Sequence, residues 1–514
     1  MSYFSSSRSS SWSSSLAIAR RRRALGIALA IVGLGGGLAL TACGGDAGFA
    51  GGFGATPGGA QDMGLARELI AEGVVPPAEA FVVEGMFSEH DLPITGGACE
   101  RTLCVDGAGA IAPDLEGEAS AWLQVGLSST VDPETFVRPP LTIIATVDVS
   151  GSMGWRTGPG APGEVSRSFL HALVDELGAG DAFAMVTYGS AVAVPVATTE
   201  VASGEGIALG PLHSAIDALD EGGVTNMEAG LVRAFELARA ARAATPERDV
   251  RVVLFTDVQP NVGATGASEF EAMAGSAAAD GVGLTVLGVG TGIGQEVMLA
   301  MSHLRGGNAF TMFDQEDVPA LMEDSWPWMA APIAFDLSLE VKTHEGVSIE
   351  RGLGFPGAPS AADTLDLDVA TVFLSRRRGA LLVQLRALQL AALEGATVSL
   401  HLEYDEPDGT HVDQPIAITL PRLAEGATEA HAQPVTARTI ALALLVDGMR
   451  DAATLYASDR PAAIARMTST RNRIAAAAAS TEDAGLATEA ELADALLALM
   501  EAGARQGTLY GYGY

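Results

Sequence analysis

The stretch Leu141-Thr142-Ile143-Ile144-Ala145-Thr146-Val147-Asp148-Val149-Ser150-Gly151-Ser152 joins an apolar run to one acid and two hydroxyls in the pattern D-x-S-x-S. A short, continuous apolar run rich in β-branched residues predicts a buried strand. Alternating positions at the end of a strand point the same way, so Asp148, Ser150 and Ser152 can converge on one point. Oxygen-only ligands suit a hard divalent cation such as Mg²⁺.

Strands and helices alternate outward from this loop. Phe169, Leu170, Leu173, Val174 and Leu177 mark one face of a helix, and 181–188 and 192–197 are strand-like. Residues 227–241 are helical, 250–255 and 283–289 are buried strands, and helices are expected near 268–279 and 294–305. A strand at 309–313 and a helix near 318–329 complete the series. This order predicts an α/β fold with a doubly wound, mostly parallel sheet, whose ligands bind beyond the carboxyl ends of the strands. The Asp148 loop falls there.

Two further segments reach the same edge. Gly222-Gly223-Val224-Thr225-Asn226 opens a helix and places the Thr225 hydroxyl at a turn, while Thr256-Asp257 ends the 250–255 strand with a second carboxylate. Together with Asp148, Ser150 and Ser152, these residues resemble the metal-ion-dependent adhesion site of von Willebrand factor type A (VWA) domains over about 190 residues. The segments 122–127 and 368–378 resemble those of bacterial extracytoplasmic proteins of this kind.

The resemblance implies roles residue by residue. Ser150 and Ser152 would ligate the ion, Thr225 would join or leave with the bound state, and Asp148 and Asp257 would act directly or through water. Mg²⁺ is the favoured ion, with Mn²⁺ or Ca²⁺ as alternatives. An open position would accept an Asp or Glu carboxylate from a protein partner. Many relatives have Gly after the third-loop acid, whereas Val258 stands here, a departure expected to alter the rim. The plainer reading is a relic site in which Asp148 and Ser150 only tie the loop together.

The 514 residues suffice for two to four domains. They carry 63 acids against 30 bases, a formal charge of -33. Such a surface repels nucleic acid and anionic headgroups. Arg20-Arg21-Arg22-Arg23 precedes an apolar run ending Leu40-Thr41-Ala42-Cys43, which reads as an export signal and resembles a bacterial lipobox with Cys43 lipidated. An uncleaved membrane anchor is the rival reading. Either way the body is expected to be extracytoplasmic, facing the periplasm or the cell surface. Gly44 after the cysteine leans toward the outer membrane, and the lipid would be the only membrane contact. Cys99 and Cys104 then remain as an even pair, expected to form a disulfide.

The expected organisation is a signal peptide (1–42), a lipidated cysteine and flexible Gly/Ala-rich linker (43–78), and a β segment (79–139) in which Phe81-Val82-Val83-Glu84 reads as strand. The VWA domain (140–332) follows, then a β segment (333–424) that joins the first into a β-sandwich around the inserted domain, and last a helical region (435–506). Glu489, Glu491 and Asp494 read as a solvated helix face. The eight histidines lack zinc spacing. Gly352 to Gly357 matches a dinucleotide string only as letters, with Pro inside and no helix after it. The expected function is a non-enzymatic binding protein. A scaffold acting through its C-terminal helices is the alternative, and a metal-dependent hydrolase ranks lower because no base is positioned at a distinctive spacing.

Overall fold

In the computed structural model, the described residues are 54–507 except 97–98, 133–134, 157–158, 202–208, 343–346, 357–366 and 388. The export segment and Cys43 lie outside them. Among the described residues no helix is long and apolar enough to cross a membrane.

The Leu141–Asp148 strand is buried along its whole length because it lies in a sheet covered on both faces. The sheet order is Gly59–Ala60, Gly307–Met312, Val282–Val289, Asp249–Thr256, Leu141–Asp148, Ala182–Tyr188 and Val192–Glu200. All pairs are parallel except the last, an antiparallel edge. Alternate residues feed different cores: Ile143, Ala145 and Val147 pack with Phe169, Leu170 and Leu173 of helix Pro162–Asp175. Ile144 packs on the other face with Leu231 and Phe235 of helix Met227–Ala244. This is the doubly wound arrangement expected from the alternating pattern.

The flanking β region is one hydrogen-bonded, antiparallel sheet of ten strands. One half holds the short Ala430–His431, Leu103–Pro113, Ala119–Ser129, Gly379–Ala387 and Val347–Leu353, and the other holds Asp368–Ser375, Pro332–Lys342, Thr397–Asp405 and His411–Thr419. Strand Gly54–Pro57 joins them, through Ser128 on one side and Val372 to Ser375 on the other. Leu123 and Val383 of one half share a single core with Leu337 and Leu400 of the other. The far edges also meet, where Gln414 Nε2 donates to Val105 O at 3.2 Å. The expected β-sandwich built from both flanks is thus borne out in part: the two halves enclose one core, but they belong to one hydrogen-bonded sheet. Cys99 and Cys104 are joined as a disulfide, with Cα atoms 5.8 Å apart, at the start of the Leu103–Pro113 strand.

Three expectations fail for physical reasons. The described part of the supposed linker, from Gly54 onward, is ordered structure: a strand in each sheet and helix Gly64–Ala71. Gly54 and Gly58 serve close approach rather than flexibility. A Cβ on Gly58 would lie 2.5 Å from the Gly307 carbonyl, and one on Gly54 would overlap the Arg377 backbone. Phe81 to Glu84 leads into helix Val83–Ser88, because a short apolar run fits a buried helix as well as a strand. Glu489 is buried: it accepts from Arg67 Nη2 at 2.8 Å and meets His90 Nε2 at 3.2 Å, tying helix Ala484–Ala502 to the N-terminal segment. Glu491 and Asp494 are exposed as expected. Helix Pro434–Tyr456 packs against Val83–Ser88 and pairs with helix Arg460–Thr481.

Candidate metal site

The Leu141–Asp148 and Asp249–Thr256 strands are neighbours and end at one edge, so their terminal side chains meet. Asp148 is 1 % exposed and Asp257 3 %. Asp148 Oδ1 accepts from its own loop at Ser150 N (2.8 Å), and Oδ2 accepts from Thr256 Oγ1 across the strand pair (2.8 Å). The Thr256 hydroxyl in turn accepts from Val258 N at 2.9 Å. Ser150 Oγ and Ser152 Oγ stand 3.1 Å apart.

The second loop is laced to both others. Gly222 N donates to Val149 O (2.8 Å) and Gly151 N to Gly223 O (3.2 Å). Gly223 has φ +83°, and the Ser190 hydroxyl fills the space where a Cβ would stand. Thr225, 1 % exposed, is held through its backbone: its N–H donates to Asn261 Oδ1 at 2.9 Å and its carbonyl accepts from Asn261 N at 3.1 Å. Asn226 caps the following helix by accepting from Ala229 N. The loops carrying Asp148, Ser150, Ser152, Thr225 and Asp257 thus converge on one edge of the sheet.

The electrostatics are one-sided. Burial raises Asp148 above the usual carboxylate range, against the opposing hydrogen bonds from Ser150 and Thr256. Burial and then the Asp148 charge push Asp257 up to about 7, and the Ser152 hydroxyl offsets part of this. Among the described residues neither carboxylate has an ion-pair partner, whereas Arg138 and Arg167, on either side of the first loop in the chain, pair with Asp181 and Glu221. The Tyr188 hydroxyl is buried beside them without a partner in hydrogen-bond geometry, its pKa raised by burial and by Asp148. Two buried acids without an ion-pair partner among the described residues, together with three hydroxyls, form a donor set that fits a hard divalent cation.

Residues 142–324 match the family model described as von Willebrand factor type A domain. This segment is a VWA domain. The chain aligns at 25% identity over 298 residues with a protein of Escherichia coli (strain K12) described as uncharacterized protein YfbK. The alignment covers 56% of this chain and 49% of that protein, so the chain spans about half the length of the curated relative it matches. Among solved structures, a von Willebrand factor type A protein from Catenulispora acidiphila is similar in fold, with a TM-score of 0.50 at 14% identity. That likeness covers 74% of this chain and 89% of the other, so it extends beyond the VWA domain into the flanks. The ArnB paralog VWA2 from Sulfolobus acidocaldarius gives a TM-score of 0.45 at 15% identity, covering 78% and 96%.

Val258 differs from its expected place. Its side chain is buried in the apolar core rather than on the rim, and its backbone sits in the left-handed region at φ 54°. Thr256, Asn261 and Tyr188 support the VWA edge without having been singled out for those roles. Their signal is positional: each lies at a strand end or loop on the same edge as the five residues. Elsewhere His401, Glu403 and Asp413 cluster on the exposed hairpin of the flanking sheet, which spacing along the chain does not reveal because Asp413 comes from the paired strand.

Proposed function

We propose that this chain is a non-enzymatic, lipid-anchored protein of the bacterial cell envelope that grips a protein partner at the carboxyl edge of its VWA sheet. Asp148, Ser150, Ser152, Thr225 and Asp257 would hold a divalent cation, Mg²⁺ in the first instance. A bound cation supplies positive charge and an open position for a partner's Asp or Glu. The observation that carries the reading is the pair of buried, unneutralised carboxylates among converging hydroxyls.

The rim supports a protein partner. Most exposed large apolar side chains of the described residues lie at this edge: Trp155 (55 %), Val224 (42 %) and Val262 (40 %) on its loops and Val192 (36 %) at a strand end. Val224 and Val262 flank the Thr225 loop, where Val224 N donates to Ser190 Oγ and Val262 N to Thr225 O. Apolar side chains around a polar centre match the anatomy of an interface, in which the rim excludes water from a central charged contact. The rival scaffold reading draws no comparable support, since helix Pro434–Tyr456 buries its apolar residues within the molecule.

Asp148→Ala, or EDTA, is expected to abolish partner capture in a cross-linked pull-down from membranes while leaving the fold intact. Capture unchanged by both treatments contradicts the reading. Loss on deleting 435–514 with Asp148→Ala harmless would favour the scaffold.

A further inference from the structure

The amino ends of the same parallel strands enclose a second feature. A cavity of about 180 Å³ opens where strands Leu141–Asp148, Asp249–Thr256 and Val282–Val289 begin. Arg242, Arg251 and Arg305 line it, and among the described residues Asp249 is the one acid in its wall. Arg251 lies six residues before Asp257 in the chain, so at the rise of a strand the cavity sits about 20 Å from the candidate metal site.

Arg251 is 3 % exposed and has no ion pair among the described residues. All its hydrogen bonds leave from one nitrogen, Nη1, to Thr285 Oγ1 (2.9 Å), Gly306 O (3.0 Å) and Asn308 Oδ1 (3.5 Å). Its Nε and Nη2 have no hydrogen-bond partner among the described residues, and the side chain lines the cavity. A buried guanidinium without an anion is costly, and burial lowers this one to about 10. Arg242, at the end of helix Met227–Ala244, likewise has no ion pair among the described residues.

Both guanidiniums lie on glycines. A Cβ on Gly281 would stand 2.8 Å from Arg242 Nε, and one on Gly283 would stand 2.9 Å from Arg251 Nη2. The third arginine is partly neutralised, because Arg305 pairs with Asp336 and stacks 4.0 Å from the Phe335 ring centroid. In a chain of net charge -33, a concentration of positive charge in a recess is not the general surface.

We propose that this cavity is an anion site that binds a small dianion, a phosphate or a short dicarboxylate, between Arg242 and Arg251. The volume is below the range of drug-sized pockets and suits a ligand of that size. The planar fork of arginine matches two oxygens of either group. Because Pro332 and Phe335 of the folded sheet and Pro407 of its hairpin turn also line the cavity, the bound anion clamps the VWA domain to its flank.

The test is calorimetric titration of the full-length protein in EDTA, at constant ionic strength balanced with chloride, using inorganic phosphate and succinate separately. At least one of the two is expected to bind saturably at one per chain. Phosphate alone points to a phosphoryl ligand, succinate alone to a carboxylate, and both to the shared chemistry. Arg242→Gln, at a partly exposed position, is expected to weaken binding at least tenfold; Arg251→Met is expected to do the same where it folds. Asp148→Ala should leave the affinity unchanged. No saturable binding of either anion, or wild-type affinity in Arg242→Gln, overturns the proposal.

Discussion

Thr256 shows how much of the candidate site depends on a residue outside the five candidate ligands. Its hydroxyl donates to Asp148 Oδ2 and accepts from Val258 N, fixing the acid and the next loop at once. Thr256→Val keeps the shape and removes both bonds, so divalent-cation affinity is expected to fall about 10- to 100-fold, with a stability loss of about 1–3 kcal/mol. Titration and denaturant unfolding separate the two effects. Val258 holds a left-handed backbone that β-branched residues rarely adopt, at a cost of roughly 1–2 kcal/mol. Both Val258→Gly and Val258→Ala lose the buried side chain, but only glycine is free of the backbone penalty. Val258→Gly is therefore expected to be more stable than Val258→Ala by about 1 kcal/mol in urea unfolding. Equal stability of the two would show that the turn is unstrained. The five candidate ligands are legible in the sequence because strand ends and alternating side chains announce them. Asn261 and Tyr188 are not, since their roles arise from which strands and loops become neighbours.

Among the elements, the Gly/Ala-rich entry segment departs furthest from its sequence reading. Small residues signal a linker by composition, yet here they let the backbone pass between two sheets. Asp62 anchors this passage, accepting from Gly64 N (2.9 Å), Thr311 N (2.9 Å) and Thr311 Oγ1 (2.5 Å). Removal from water outweighs those bonds and raises its carboxyl to about 6. The native state thus binds a proton that the unfolded chain, with an Asp near its usual value of about 3.9, has already lost. Asp62's contribution is fullest below about pH 4 and falls as pH rises toward 6. Asp62→Asn is expected to flatten that part of the stability profile relative to wild type, measured by melting temperature at steps between pH 4 and 7. Identical profiles would show that Asp62 titrates normally. The strands and helices of the VWA domain follow their periodicity closely, whereas Phe81 to Glu84 does not, because four apolar and polar residues carry too little period to tell strand from helix.

At the scale of the molecule, the VWA domain is inserted in a framework assembled from distant segments. Strand Gly54–Pro57 completes the folded sheet, Gly59–Ala60 pairs with the edge of the VWA sheet, and the C-terminal helices close over the N-terminal segment through Glu489, Arg67 and His90. The alternation of strands and helices makes the inserted domain legible. The pairing of residues hundreds of positions apart is not, because local periodicity says nothing about partners. The framework leaves the carboxyl edge of the VWA sheet and its apolar rim facing outward, which is the geometry a partner-gripping protein needs. The most direct measurement is a calorimetric titration of Mg²⁺ and Mn²⁺ into the EDTA-stripped full-length protein, with Asp148→Ala alongside at a matched melting temperature. One saturable site is expected in the wild type and none in Asp148→Ala. No binding to the wild type, or equal binding to both proteins, would contradict the proposed metal site.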